Sequence, residues 1–202
     1  MMSADDLNVS RETLEKLRAF SALVEKWTAK INLISKPSIP YLWQRHVLDS
    51  AQIFSIEPSF DHWVDIGSGG GFPGIVIAII AREESPLSRV TLIESDQRKS
   101  TFLRTAIREL DLSAIVISER IEAVDSQGAD VLSARALADL PTLIGYAHRH
   151  LSPSGTCLFQ KGNTWEKENE AAQKLWSYTF EAITSKTSPD AAILKIKDIA
   201  RV

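Results

Sequence analysis

The stretch Trp63-Val64-Asp65-Ile66-Gly67-Ser68-Gly69-Gly70-Gly71-Phe72-Pro73-Gly74 decides how this chain is read. A short apolar run reads as a buried strand, a dense glycine turn follows, and the apolar residues 75–81 are long enough to build a helix. A strand that passes through glycines into a helix brings backbone close to a ligand at the helix N-terminus. Asp65 stands where the strand ends. The turn predicts a nucleotide-like cofactor held above it.

Outward from this turn, strand-like apolar runs recur at residues 90–93, 114–117, 131–132 and 156–160. Helix-like stretches occur at 74–82, 97–110, 137–150 and 165–177. This alternation predicts an α/β domain with a mostly parallel sheet covered on both faces. The runs at 180–187 and 191–199, joined by Ser188-Pro189-Asp190, read as a C-terminal hairpin that brings in one antiparallel strand. Ahead of the turn, Leu14, Leu17, Phe20, Val24, Trp27 and Ile31 mark an amphipathic helix over residues 10–31, with Ser10 as N-cap. A second helix is expected from near Pro40, carrying Leu42, Trp43, Val47, Leu48, Ile53 and Phe54. Residues 1–60 are therefore expected to form an N-terminal helical cap on a domain spanning 61–202, the two making one structural unit.

The 202 residues suffice for one domain with a sizeable core. A single cysteine, Cys157, excludes a disulfide framework. The net charge of −3 counts against a general nucleic-acid binder but leaves room for a local basic patch. No apolar run approaches a membrane span, and Met1 to Asp6 carry neither the basic nor the apolar region of a signal peptide. A cytoplasmic monomer with no membrane partner and no metal is expected.

Two cofactors compete at the turn. The dinucleotide fingerprint Gly-x-Gly-x-x-Gly is met by Gly67 and Gly69 but breaks at Phe72. The spacing present, Asp65-x-Gly67-x-Gly69-x-Gly71, resembles the first motif of class I S-adenosylmethionine (SAM) methyltransferases. A pyrophosphate needs converging backbone N–H groups. SAM has no phosphate, so glycines serve clearance and a nearby acid is tolerated. Glu94, ending the next strand, is placed to accept hydrogen bonds from both ribose hydroxyls, a feature that SAM and NAD share. Residues 118–122 put polar groups near the expected adenine position. Together these features favour SAM over NAD.

Motifs on both sides of the turn carry a closer resemblance. Asn32-Leu33-Ile34-Ser35, Arg45-His46-Val47-Leu48-Asp49-Ser50, the turn through Phe72-Pro73-Gly74, Glu94-Ser95 with Arg98-Lys99, Arg120-Ile121-Glu122, Ser133-Ala134-Arg135-Ala136 and Lys161-Gly162 resemble consecutive motifs of one family. It is the ribosomal RNA small subunit methyltransferase G family, also called glucose-inhibited division protein B. The resemblance runs from about Ser10 to Lys161. It implies a class I SAM-dependent methyltransferase (Rossmann-like) fold and a bacterial enzyme that methylates N7 of guanine 527 in the 530 loop of 16S rRNA. The substrate is the free rRNA or the small ribosomal subunit particle. The cofactor residues implied are Asp65, Gly67, Gly69, Phe72, Glu94, Ile121, Glu122 and Arg135. The family often carries Ala at the position of Gly70 and Asp at that of Glu94; the longer Glu94 alters the ribose geometry while keeping the chemistry.

Guanine N7 offers a lone pair and carries no proton, so its methylation needs orientation rather than a general base. That agrees with a chain lacking an obvious catalytic dyad. Arg135, after a buried strand, is the catalytic candidate, placed to pair with the SAM carboxylate or an RNA phosphate. Cys157 lies in an apolar run and reads as a small buried hydrophobe, not the nucleophile of carbon-5 pyrimidine methylation. The Asn/Asp-Pro-Pro-aromatic motif of exocyclic adenine methylation is replaced by Ser133-Ala134-Arg135-Ala136. Arg45, Arg98, Lys99 and Lys161 are candidates for RNA phosphate contact. Arg104 and Arg108 read as a solvated helix face, His46 as a structural hydrogen bonder, and Trp27 and Trp43 as core. Three alternatives stay open: a SAM methyltransferase acting on another RNA or a small molecule, a NAD-binding oxidoreductase, against which Phe72 at the third glycine position argues, and a non-catalytic SAM-binding or ribosome-associated protein.

Overall fold

A computed structural model describes residues 7–202; the reading of Met1 to Asp6 lies outside the described residues. Seven strands form one sheet: β1 (His62–Ile66), β2 (Arg89–Ile93), β3 (Ala114–Ile117), β4 (Ala129–Arg135), β5 (Leu151–Lys161), β6 (Trp176–Thr184) and β7 (Ala192–Arg201). Their order is β3-β2-β1-β4-β5-β7-β6. The pairs from β3 through β5 are parallel, while β7 runs antiparallel to both β5 and β6. This is the class I methyltransferase sheet, with a single reversed strand supplied by the C-terminal hairpin. The apolar central strand β1 is buried along its whole length, as a parallel strand covered on both faces must be.

Six α-helices cover the sheet: α1 (Arg11–Thr28), α2 (Asp49–Phe54), α3 (Gly74–Glu84), α4 (Gln97–Leu110), α5 (Leu140–His150) and α6 (Trp165–Ala172). Every residue of α3 from Gly74 to Ala81 is buried, because this helix is wrapped by neighbours and apolar around its circumference. Its cover includes α1, whose Phe20 ring lies 5.1 Å from Phe72 and 6.3 Å from Phe102 of α4. One hydrophobic cluster runs through α1, α3 and α4; a second lies across the sheet beneath α5. Ser10 caps α1 by accepting the Thr13 N–H at 3.1 Å. Trp27 and Trp43 pack against the first cluster, and Cys157 is fully buried.

Several boundaries depart from the sequence reading: β5 begins at Leu151 rather than at residue 156, β6 at Trp176 rather than at 180, and the helix expected from 137 starts at Leu140. The helix expected from Pro40 is broken into a 3-10 turn (Lys36–Tyr41), a π turn (Trp43–Leu48) and α2. Pro40 lies inside the first and lacks the N–H that a continuous α-helix needs. The helix expected to reach residue 177 stops at Ala172, because Trp176 and Ser177 pair with Arg201 and Ala200 of β7. The first helix ends at Thr28, so the following residues cross to the glycine turn, where a Cβ on Gly70 would stand 2.9 Å from Leu33 O. Among the described residues, no helix is long and apolar enough to cross a membrane.

Candidate functional site

The glycine turn is pinned to the strand beside it. The N–H groups of Gly67 and Ser68 donate to Ile93 O at 2.9 and 3.2 Å, and the Gly71 N–H donates to Ser68 O at 2.7 Å. Gly67, Gly69 and Gly71 take positive φ values of 66°, 53° and 85°. L side chains are strained there, which is why this turn is dense in glycine.

Asp65 works beneath the turn. Its Oδ1 accepts from the Ser133 hydroxyl at 2.7 Å, and its Oδ2 accepts the Gly74 N–H at 3.2 Å. The Trp63 indole N–H in turn donates to Ser133 Oγ at 2.9 Å. Burial lifts the Asp65 carboxyl to about 6, against the opposing pull of these hydrogen bonds and of Arg135. The carboxylate occupies the N-terminus of α3, the place where a dinucleotide site receives its pyrophosphate. The site is therefore not built for a dinucleotide.

A cavity of about 240 Å3 opens above the turn, at the C-terminal ends of the parallel strands. Gly67, Gly69, Glu94, Ile121 and Glu122, all assigned to the cofactor from the sequence, line it together. Both Glu94 oxygens accept backbone N–H groups, from Gly69 at 2.8 Å and Asp96 at 2.7 Å. Each oxygen keeps a second lone pair for a hydroxyl donor. Glu122 accepts from the Tyr146 hydroxyl at 2.6 Å, and that bond holds its carboxyl below the usual range. Three carboxylates (Glu94, Glu119, Glu122) face Lys99 and Arg120 here. This lining suits a cationic ligand rich in hydroxyls better than a phosphate.

Asp65, Phe72 and Arg135 are not among the residues lining that cavity. Phe72 turns under the loop, 5.1 Å from the His46 ring, and the Arg135 guanidinium lies 5.2 Å above its centre. Arg135 donates to His46 Nδ1 at 2.6 Å and to Arg45 O at 3.2 Å, and stands 3.7 Å from Asp49 Oδ2. A ring nitrogen that accepts from a guanidinium carries no proton. Burial first, then Arg135 and Arg45, take the His46 pKa down to about 3. His46 is thus a neutral structural partner of Arg135.

Arg135 faces a second cavity of about 260 Å3, whose walls include Asp49, Gln160, Lys161 and Glu168. Ala136, held at a φ of 52°, lines both cavities.

The basic residues separate. Arg45 is exposed, and Arg98 is exposed beside Asp96 at 3.7 Å. Lys99 lines the first cavity. Lys161 is not a surface cation: its side chain is 9% exposed and pairs with Glu168 Oε2 at 2.5 Å. This ion pair ties β5 to α6. Arg104 and Arg108 are exposed on α4. Among the described residues, no group of three or more His, Cys, Asp or Glu is placed to hold a metal ion.

A family model described as "rRNA small subunit methyltransferase G" matches residues 13–192. The chain belongs to this family. A ribosomal RNA small subunit methyltransferase G of Ruegeria pomeroyi is 54% identical over 199 residues, covering 98% of both chains. Among solved structures, a methyltransferase from Geobacter sulfurreducens superposes with a TM-score of 0.60 at 14% identity, covering 89% of this chain and 88% of that one. Cofactor-bound Rv0187 from MTB superposes with a TM-score of 0.61 at 14% identity, covering 91% of each chain. These two likenesses show the shared fold.

Proposed function

We propose that this chain is a SAM-dependent methyltransferase that methylates N7 of a guanine in 16S rRNA, guanine 527 of the 530 loop. Family membership supports the reaction. The observation that carries the cofactor is the cavity where the glycine turn, the Glu94 carboxylate and Glu122 converge, with the α3 N-terminus already taken by Asp65. Gly67, Gly69, Glu94, Ile121 and Glu122 are the residues that would hold SAM. Bound there, SAM supplies an electrophilic methyl group on a sulfonium.

The protein's own residues bind and orient. Glu94, fixed by two backbone N–H groups, has lone pairs left for the ribose hydroxyls. Glu122 is held by Tyr146. No side chain needs to remove a proton, because N7 carries none; proximity and alignment supply the rate. Arg135, gripped by His46, Arg45 O and Asp49, sets a fixed positive charge in the wall of the second cavity. Arg45 and Arg98 are the exposed cations available to RNA phosphates. The protein acts in the cytoplasm, as a monomer capped by its N-terminal helical segment.

The test is transfer from tritiated SAM to small ribosomal subunits and to free 16S rRNA from cells lacking the protein. N7-methylguanosine is mapped by chemical cleavage, and mass by light scattering. One labelled guanine in the 530 loop is expected. Absence of label, or label on another base, overturns the reading.

A further inference from the structure

The second cavity carries hydrogen-bonding capacity that the fold leaves unused. Gln160 is 8% exposed, and its side-chain Nε2 donates to Asp49 Oδ2 at 2.6 Å and Asp49 O at 2.9 Å. That fixes the amide, and its Oε1 is buried without a hydrogen-bond partner. Lys161 Nζ donates to Ala138 O at 3.0 Å and to Glu168 Oε2, which leaves one of its three N–H groups. Glu168 Oε1 accepts only from the Thr164 hydroxyl, at 3.0 Å, and keeps a lone pair. One acceptor and one donor are thus unspent in walls that also include Gly162, while Gln160 Oε1 is fully buried behind them.

We infer that this cavity receives the target guanine, swung out of the RNA, with Lys161 and Glu168 reading its Watson–Crick edge. The inference rests on the rRNA methyltransferase reading above. Guanine presents one acceptor, O6, beside two donors, N1–H and the N2 amino group. The spare Lys161 N–H meets O6, while Glu168 Oε1 accepts from the N2 amino group. Adenine presents the reverse pattern, an amino donor beside an N1 acceptor, and would leave these buried groups unpaired. Engaging the Watson–Crick edge leaves N7 free to face Ala136, the residue shared with the cofactor cavity. Taking a base out of its stack is what an enzyme acting on a base atom requires.

Two changes test this on the full chain with reconstituted small subunits, in which the target guanosine is either retained or replaced by inosine. Inosine keeps N7 and O6 but lacks the N2 amino group. The wild-type protein is expected to lose roughly tenfold or more in kcat/KM on inosine, the loss of a hydrogen bond to a charged or buried partner. Glu168→Ala is expected to fall by a similar factor on guanosine and to distinguish the two substrates by no more than about twofold. A purely structural role for Glu168 would lower both activities and preserve their ratio. Because Glu168 also accepts the Leu140 N–H, a second variant guards against misfolding. A Cβ at Gly162 meets nothing within 4 Å and Gly162 lines the cavity, so Gly162→Leu is expected to fold and to add bulk at the cavity wall. It is expected to bind SAM within about twofold of wild type while transfer to guanosine falls roughly tenfold or more. Equal wild-type rates on guanosine and inosine, an unchanged ratio in Glu168→Ala, or full transfer by Gly162→Leu would overturn the base site and leave the methyltransferase reading intact. A wild-type protein that labels no guanine N7 would overturn the reading itself.

Discussion

At the scale of single residues, the glycines of one turn do different work. A methyl at Gly71 would stand 2.7 Å from Ile75 Cγ1 and 2.9 Å from Phe20 Cζ, at a φ of 85°. Both neighbours are fully buried, so neither can yield. Gly71→Ala is expected to cost about 2–4 kcal/mol of stability, the sum of left-handed strain and overpacking. Urea unfolding measures it. A methyl at Gly67 would instead stand 2.5 Å from Leu137 Cδ1, the end of a half-exposed side chain that can swing away. Leu137 lines the first cavity, so it would swing at the ligand's expense. Gly67→Ala is expected to cost about 1–2 kcal/mol in stability, yet to weaken SAM binding by roughly tenfold through lost complementarity; calorimetric titration with SAM reads the second effect. Equal effects of the two substitutions on SAM affinity would refute this division. The glycine spacing and the strand-end Glu94 were legible in sequence because they are local to strand ends. Tyr146 and Glu168 were not, since each reaches its cavity from a helix whose facing is set only by packing. The sequence marked both stretches as helical without showing what either helix would meet.

At the scale of elements, the π turn Trp43–Leu48 explains how a segment ahead of the sheet helps to build a site on it. Arg45 O, His46 Nδ1 and Asp49 converge on one guanidinium that is distant in sequence. A regular helix would distribute these three groups differently, and π turns recur where function requires such a departure. The alternation of strands and helices fixed the sheet's class in advance, because periodicity is a local signal. The break at Pro40 follows from its missing N–H, but the π turn after it escaped, because its groups meet Arg135, a residue distant in sequence. Asp49 also joins α2 to the connection between β6 and β7: it accepts from Thr187 Oγ1 at 2.6 Å, Gln52 Nε2 at 2.8 Å and Gln160 Nε2 at 2.6 Å. Asp49→Asn replaces one acceptor oxygen with a donor among donors and removes the charge beside Arg135. A loss of about 1–3 kcal/mol is expected, with faster amide exchange at Lys186 and Thr187 than in wild type. Unchanged exchange there would show that the hairpin connection does not depend on this carboxylate.

At the scale of the whole molecule, burial shifts its titratable groups in opposite directions, and the signs can be followed through pH. His46 titrates at about 3 in the folded chain and near 6.5 when unfolded. As pH falls below 6.5 the unfolded chain takes up a proton that the folded chain refuses, so stability declines. His62 and His150, also lowered by burial, act in the same direction. Asp65 titrates at about 6 folded and near 3.8 unfolded. Between those values the folded chain binds the proton more readily, so stability grows as pH falls and is lost as pH rises through 6. Over the window from pH 6.5 to about 4, the histidines therefore pull against Asp65. His46→Gln removes one downward contribution and is expected to flatten the fall in urea midpoint on acidification. Asp65→Asn removes the opposing contribution and is expected to steepen it. Each change in slope is bounded by about 1.4 kcal/mol per pH unit, the limit for one proton. The difference between variant and wild-type slopes isolates each group from the shared background of the other histidines. Parallel slopes for wild type and Asp65→Asn would mean that the carboxylate under the glycine turn is ionised throughout this window, and that its hydrogen bonds from Ser133 and Gly74, rather than its burial, set its charge.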